Sequence, residues 1–424
     1  MKKISIVGLG DLLLSMKLSI YTEPDYLEMV KIINEADAAV ANLETLLHNY
    51  EDNAYPSAES GGSWAKADPS IVEELRWLGV DIVSTANNHS LDYMYGGLLN
   101  TIEYLKKVGI KFAGTGRNLT EARKPTYFET PKGRVGLIAA ASTFANFGRA
   151  GLARRDLHGR PGLNPLRYKE YIVIKEKILF QIKKITSEIG LISNPGENKF
   201  FGKEFIEGEE MGIHTQINKC DMEGNLEAIR EAKRQADWVI FSLHCHERYM
   251  DDNDRPAEFI EEFARASIDE GAHMFLGHGP HVLRGIEIRE GKPIFYSLGN
   301  FVYQNFTIEK LPADFYMKLD LDPYKGTPAD VFDAREKTHH AFQGDNAYKR
   351  WISIIPYTVF EGDKLIELKI IPVRLGKEKP RSQRGRPILA RNAEADKILQ
   401  EIKSLSAAYG TDIIMKNGVG YVKL

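Results

Sequence analysis

Apolar residues in the first 140 positions come in short blocks that stop at glycine, asparagine or aspartate. KKISIVGLG reads as a strand ending in glycine with Asp11 just beyond it, and YLEMVKIINEA follows with a helical period. ADAAVANLE is a second strand whose end presents Asn42 and Glu44. PSIVEELRWLGV predicts a helix opened by Pro69 and stopped by Gly79, the usual terminal signals. DIVSTANNH, a helix over 97–108, IKFAGTG and a hairpin YFETPKGRVGLIAAA complete a strand–helix alternation typical of α/β folds.

Further along, YKEYIVIKEKILFQIKKITSEIG predicts one long helix over 168–190, and NPGENKFFGKEFIEGEEMG an exposed, mobile stretch. NLEAIREAKRQA is helical, WVIFSLH a buried strand, and AEFIEEFARASIDEG another helix before AHMFLGHGPHVLRG. GIEIREGKPIFYSLGNFVY reads as a hairpin, as does WISIIPYTVFEGDKLIELKIIPVRL with Gly-Asp at its turn. A final helix is expected over 393–409. Two segments break the rhythm: the Gly-, Pro- and Arg-rich loop 147–167, long enough to be functional or disordered, and residues 311–350, whose prolines and paired histidines predict an insertion over the site. The expected division is 1–305 as a catalytic domain, 306–350 as a lid or insertion, and 351–424 packing on the same domain.

Composition narrows the function classes. The 424 residues are 43% hydrophobic and 27% charged, with a net charge of -3, so no overall basic field argues for nucleic acid. Trp64, Trp77, Trp238 and Trp351 are scattered and read as packing groups rather than a base-stacking surface. Cys220 and Cys245 alone make no disulfide framework. Asp11 interrupts the N-terminal apolar run, so a first core strand is expected there, with no membrane anchor and a cytoplasmic location.

The chemistry gathers where strands stop. Asp11 follows SIVGLG, Asn42 and Glu44 follow DAAVA, Asn88 and His89 follow DIVST, His244 ends WVIFSLH, and His278 with His281 follow AHMFL. Groups beyond the carboxyl ends of parallel strands face a common crevice. Carboxylate, amide oxygen and imidazole together make a ligand set for divalent metals. Alone, Asp11 could equally cap a helix. Jointly the residues accommodate two ions, with Asp11 on one, Glu44 bridging, Asn88, His244 and His278 around the second, and His281 completing the shell. His89 would polarise a leaving group or orient substrate, and Asp92 would either fix His89 or cap the following helix. Asn300, in SLGN, is a substrate-positioning or turn residue. His246 shares a face with His244 if the strand continues, which offers a metal or substrate contact beside an ordinary loop role. Cys245 is a poor candidate nucleophile among groups better suited to activating water.

These residues resemble a known family, the bacterial CapA-type proteins of capsule and poly-gamma-glutamate synthesis, themselves similar in fold to the calcineurin-like metallophosphoesterases. The motifs that carry the resemblance are GLGD, ANLET, TANNHSLDY, LHCHERY, GHGPHVLRGIE and YSLGNFVY, in order across most of 1–305. It implies an α/β architecture of layered sheets covered by helices, metal ligands at Asp11, Glu44, Asn88, His244, His278 and His281, and leaving-group assistance from His89. Four departures stand out. DLL replaces an aspartate-x-histidine start, Glu44 stands for a bridging aspartate, two residues rather than one separate His278 and His281, and His246 occupies a glycine position.

The cofactors expected are two divalent ions, with manganese, iron and zinc all compatible with mixed oxygen and nitrogen ligands. Arg149, Arg154, Arg155, Arg160 and Arg167 crowd one loop, and Arg381, Arg384 and Arg386 another. If both loops fold over the crevice the substrate is anionic, with Arg160 and Arg386 as clamps beside prolines; otherwise they form a solvated surface. The expected function is metal-dependent hydrolysis, through activated water, of an anionic phosphoester or amide bond in a small molecule or glutamyl polymer. The alternative is a non-catalytic binding or assembly component for anionic polymer synthesis.

Overall fold

The computed structural model describes residues 2–191, 198–338 and 346–424. Its centre is two sheets packed face to face. In the ten-stranded sheet, Lys3–Leu13 lies parallel to Ala38–Leu43, followed by Ile82–Ser84 and Lys111–Ala113. On its other side the antiparallel pair Ile352–Glu361 and Lys364–Arg374 extends the sheet. In the six-stranded sheet, Gly133–Ala141, Trp238–His244 and Met274–His278 run parallel, with antiparallel strands Thr126–Thr130 at one edge and Leu283–Arg289 at the other.

Side-chain parity explains the layering. Ile4, Ile6, Ala38, Val40 and Ile82 from the first sheet meet Val135, Leu137, Trp238, Ile240, Met274 and Leu276 from the second. The alternate residues turn outward: Val7, Ala39, Ala41 and Val83 pack with the helix Pro24–Asn34 and its neighbour Val72–Leu78, while Val239, Phe241, Leu243 and Phe275 pack beneath Lys219–Lys233 and Glu258–Asp269. The central strands of both sheets are therefore buried on both faces, which is why they read as continuous apolar runs. Each fully buried Val, Leu or Ile contributes roughly 1.5–3 kcal/mol.

The first strand does not end at Gly10 as its pattern predicts. It continues through Asp11 to Leu13 with a shifted register, three steps from Gly8 to Asp11 facing two from Val40 to Asn42. Gly10 makes this possible, since a Cβ there would lie 2.1 Å from the carbonyl oxygen of Gly299. The Asp11 N–H donates to that same carbonyl at 3.0 Å. The bulge re-aims Asp11 toward the second sheet.

Two expectations are corrected. Residues 168–190 are not one helix: Tyr168–Ile174 is a strand and only Glu176–Glu188 is helical. Its Tyr, Ile and Val residues favour the pleated surface, and the strand pairs with Gly212–Ile217 and Lys203–Glu207 in a separate four-stranded sheet. The segment expected to be exposed and mobile therefore supplies strands from Lys199 onward, while 194–197 lie outside the described residues. A hairpin of Ile413–Lys416 and Val419–Val422, absent from the sequence reading, closes the main sheet's edge around Asn417-Gly418, both at positive φ. Where an insertion is expected, Ala313–Lys318 and Pro328–Thr338 are helices; His339 and His340 lie outside the described residues. Phe315 brings this segment to within 5.5 Å of Trp64, ring to ring, over the loop that contains Gly61.

Candidate metal centre

Strand ends from both sheets meet at one edge of the sandwich. Asp11 comes from the bulge, Glu44 from just past Ala38–Leu43, and His89 from the turn after Ile82–Ser84. His244 and His278 close two adjacent strands of the second sheet and pair in register. Two sets of three groups bring ligand atoms within 4.8 Å of one another: Asp11, Glu44 and His244, and Glu44, His246 and His281. Glu44 belongs to both. Its Oε1 lies 3.7 Å from His89 Nε2, 3.9 Å from His244 Nε2 and 3.8 Å from His281 Nε2. Asp11 Oδ1 lies 3.3 Å from His278 Nδ1, and Oδ2 lies 3.6 Å from His281 Nδ1.

The surrounding amides orient these groups. Asn42 Nδ2 donates to Asp11 Oδ1 at 2.8 Å and lies 3.2 Å from His244 Nδ1. Asn87 Nδ2 donates to the Asn42 Oδ1 and to the Leu43 carbonyl. The Gly279 N–H donates to Asp11 Oδ2. Gly279 sits at φ +112, and a Cβ there would lie 2.8 Å from His246 Cδ2. His281 itself sits at φ +59, a costly conformation for a side-chain-bearing residue.

Burial sets the charge states. It pushes the Glu44 carboxyl well above its usual range, and the neighbouring charges of Asp11 and Asp92 push it further. Burial lowers His244, His281 and His246, the last to about 3, so these rings are neutral at pH 7. Burial works against Asp11 ionising, yet the His278 ring 3.3 Å away holds it below the ordinary carboxylate range.

Both Glu44 oxygens, both His278 ring nitrogens and the Asn88 Oδ1 are buried without a hydrogen-bond partner. Orphaned polar atoms cost about 1–3 kcal/mol each, so native structures rarely leave them unanswered. Here they cluster with neutral imidazoles and an ionised aspartate, a donor set that fits two divalent cations.

The structure distributes the sequence-predicted residues unevenly. Asp11, Glu44, His244, His278 and His281 come together, but His244 groups with Asp11, and His281 pairs with His246 instead of completing the other set. Asn88 lies alongside, its Nδ2 donating to the Gly61 carbonyl. Asp92 holds His89: its Oδ2 is 2.5 Å from Nδ1 and also accepts from the Ala65 N–H, while Oδ1 accepts from Gly61. Asn300 is fully buried, with Oδ1 2.7 Å from His281 Nδ1 and Nδ2 donating to the Arg350 carbonyl; it fastens a histidine rather than facing a substrate. Arg386 is not brought to the cluster. It is buried against Glu23 and stacks on Tyr21. Arg160 is exposed and donates to the Arg149 carbonyl. Other loop arginines pair internally, Arg154 with Asp156, Arg167 with Asp221 and Arg384 with Glu336. Among site residues the sequence reading left uncommitted, His246 is the clearest: its Nε2 lies 3.0 Å from that of His244, and its signal was the shared face of alternate strand positions.

Residues 5–305 match the family model described as bacterial capsule synthesis protein PGA_cap. Two uncharacterised proteins of Sinorhizobium fredii, y4sH and y4uA, are each 34% identical over 433 aligned positions, which cover 99% of this chain and 93% of theirs. The PGA biosynthesis protein CapA of Bacillus subtilis is 26% identical over 74% of this chain and 65% of its own length. The capsule biosynthesis protein CapA of Bacillus anthracis is 25% identical over 66% of this chain and 58% of its own. Among the described residues no helix is long and apolar enough to cross a membrane.

Proposed function

Because the chain belongs to the bacterial capsule synthesis protein family PGA_cap, we propose that it is a two-metal hydrolase of calcineurin-like type, acting on a phosphoester or amide bond. The observation that carries this reading is Glu44, shared by two ligand sets and buried with neither oxygen hydrogen-bonded. Asp11, Glu44 and His244 would hold one ion and Glu44, His246 and His281 the other, with His278 and Asn88 as further ligands beside them. When bound, such ions lower the pKa of a coordinated water toward ~7 and stabilise charge on the attacked group.

The remaining chemistry belongs to the chain. Asp92 accepts the Nδ1–H of His89, which leaves Nε2 turned toward the shared carboxylate. A protonated Nε2 would then donate to the departing oxygen or nitrogen, with Asp92 stabilising the imidazolium. Asn42 keeps Asp11 and His244 aligned, and Asn300 keeps His281 aligned. Asp11, Glu44, His244 and His89 are all buried, which keeps these contacts strong.

The relatives' names connect two of them with capsule or PGA biosynthesis, which supports a glutamyl amide as one substrate class beside phosphoesters. Protein stripped with chelator and reloaded separately with manganese, iron(II) or zinc should hydrolyse a chromogenic phosphodiester or a chromogenic glutamyl amide. Activity should vanish on stripping and return on reloading. Failure of every reloaded form on both substrates would contradict the reading.

A further inference from the structure

Beside the paired ligand sets opens a cleft of about 260 Å³, lined on that side by His246 and Asn88. Its far wall is apolar. Phe147 is half-buried and packs on the cluster of Leu91, Leu98 and Ile102; Phe144 is half-buried and packs on Ala86, Ala141 and Leu163. Each ring is thus anchored on a small core while the rest of its surface lines the open space. The charged groups at the wall are carboxylates, Glu59 and Asp92, and among the described lining residues there is no lysine or arginine. The arginines expected to clamp an anion are paired elsewhere or stand on the surface.

We propose that this cleft binds an uncharged, aromatic-sized group of the substrate, next to the bond being broken, and that Phe144 and Phe147 set specificity for it. The inference rests on the two-metal hydrolase reading, and it replaces an anionic neighbouring group with an apolar one. Three features support it. The volume suits a single ring with its linker rather than a drug-sized ligand. Two anchored aromatic faces favour stacking at low entropic cost. The carboxylates of Glu59 and Asp92 at the wall disfavour a second anion there.

Gly148 provides a clean handle. It lines the cleft, its φ is not left-handed, and a Cβ there would meet only Leu91 and Leu163, no closer than 3.7 Å. Gly148→Ala therefore narrows the space without a backbone clash, and Phe147→Ala removes one wall. Binding to manganese-loaded protein is measured by calorimetry with phenylphosphonate and methylphosphonate, and by ligand-observed NMR with benzyl alcohol, which needs no ion. Thermal melts confirm that the variants fold. Wild type is expected to bind phenylphosphonate about tenfold more tightly than methylphosphonate, from the buried area of one ring. In both variants that ratio should fall toward one, and the benzyl alcohol signal should weaken. Equal affinity for the two phosphonates in wild type, or a benzyl alcohol signal that is absent or unaffected by both substitutions, would overturn the cleft assignment. If neither phosphonate binds while benzyl alcohol does so in a Gly148-dependent way, the cleft stands and the hydrolase reading fails instead.

Discussion

Asp92 illustrates how much one side chain settles. Its two oxygens take the Ala65 and Gly61 N–H groups and the His89 Nδ1, so it fixes a loop and a tautomer together. Asp92→Asn should leave both ions bound and lower kcat about 10–100-fold, the usual cost of losing a partner that orients a catalytic ring. Unchanged turnover, or lost metal, would reject that role. Glu44 makes a second, pH-linked prediction. Burial and the charges of Asp11 and Asp92 raise its carboxyl, whereas the lowered histidines are already neutral at pH 7. A proton on Glu44 therefore competes with the ions, and metal affinity must weaken as pH falls. Calorimetric titrations across a pH series read this directly; affinity that does not fall as pH is lowered would contradict it. At this scale the sequence was informative wherever a polar residue ended an apolar run. It was silent where geometry decides: Asn300 and Arg386 look like substrate contacts in the chain, yet one is consumed by His281 and the other by Glu23.

Among the elements, the connection after Met274–His278 carries backbone strain right beside the ligands. Gly279 at φ +112 and His281 at φ +59 fold the chain back so that His281 can reach both Asp11 and Glu44. Gly279→Ala would force a Cβ against His246 and into a backbone region that side chains avoid. A loss of about 1–3 kcal/mol of stability is expected, together with selective loss of the ion held by His246 and His281. Thermal unfolding and metal counting on the same sample test both; full occupancy with an unshifted melting temperature would count against it. Strand identity was readable because the central strands are short apolar blocks stopped by glycine, asparagine or aspartate; that Ile4 and Ile6 face one layer and Val7 the other shows only in the fold. The strand Tyr168–Ile174 was missed because its apolar residues continue into a true helix, and only the extended Lys175 marks the break. The hairpin at Asn417-Gly418 carried a strong turn signal at the end of the chain that passed unread.

The whole molecule depends on two sheets contributing to one centre. Asp11 and Glu44 come from the ten-stranded sheet, His244 and His278 from the six-stranded one, and the interior apolar layer holds the two edges in register. That convergence follows from parallel strands ending at the same side, and it was legible in outline from the spacing of the motifs. Which ligands share an ion was not, because the bulge at Gly10 and the reversal at Gly279 re-aim side chains that periodicity alone cannot direct. The most direct test of the paired centre is metal stoichiometry, by elemental analysis, of folded wild type beside Glu44→Gln. Two ions per chain in wild type and no more than one in Glu44→Gln is the expected result; two ions retained by the folded variant would show that Glu44 does not join the sites.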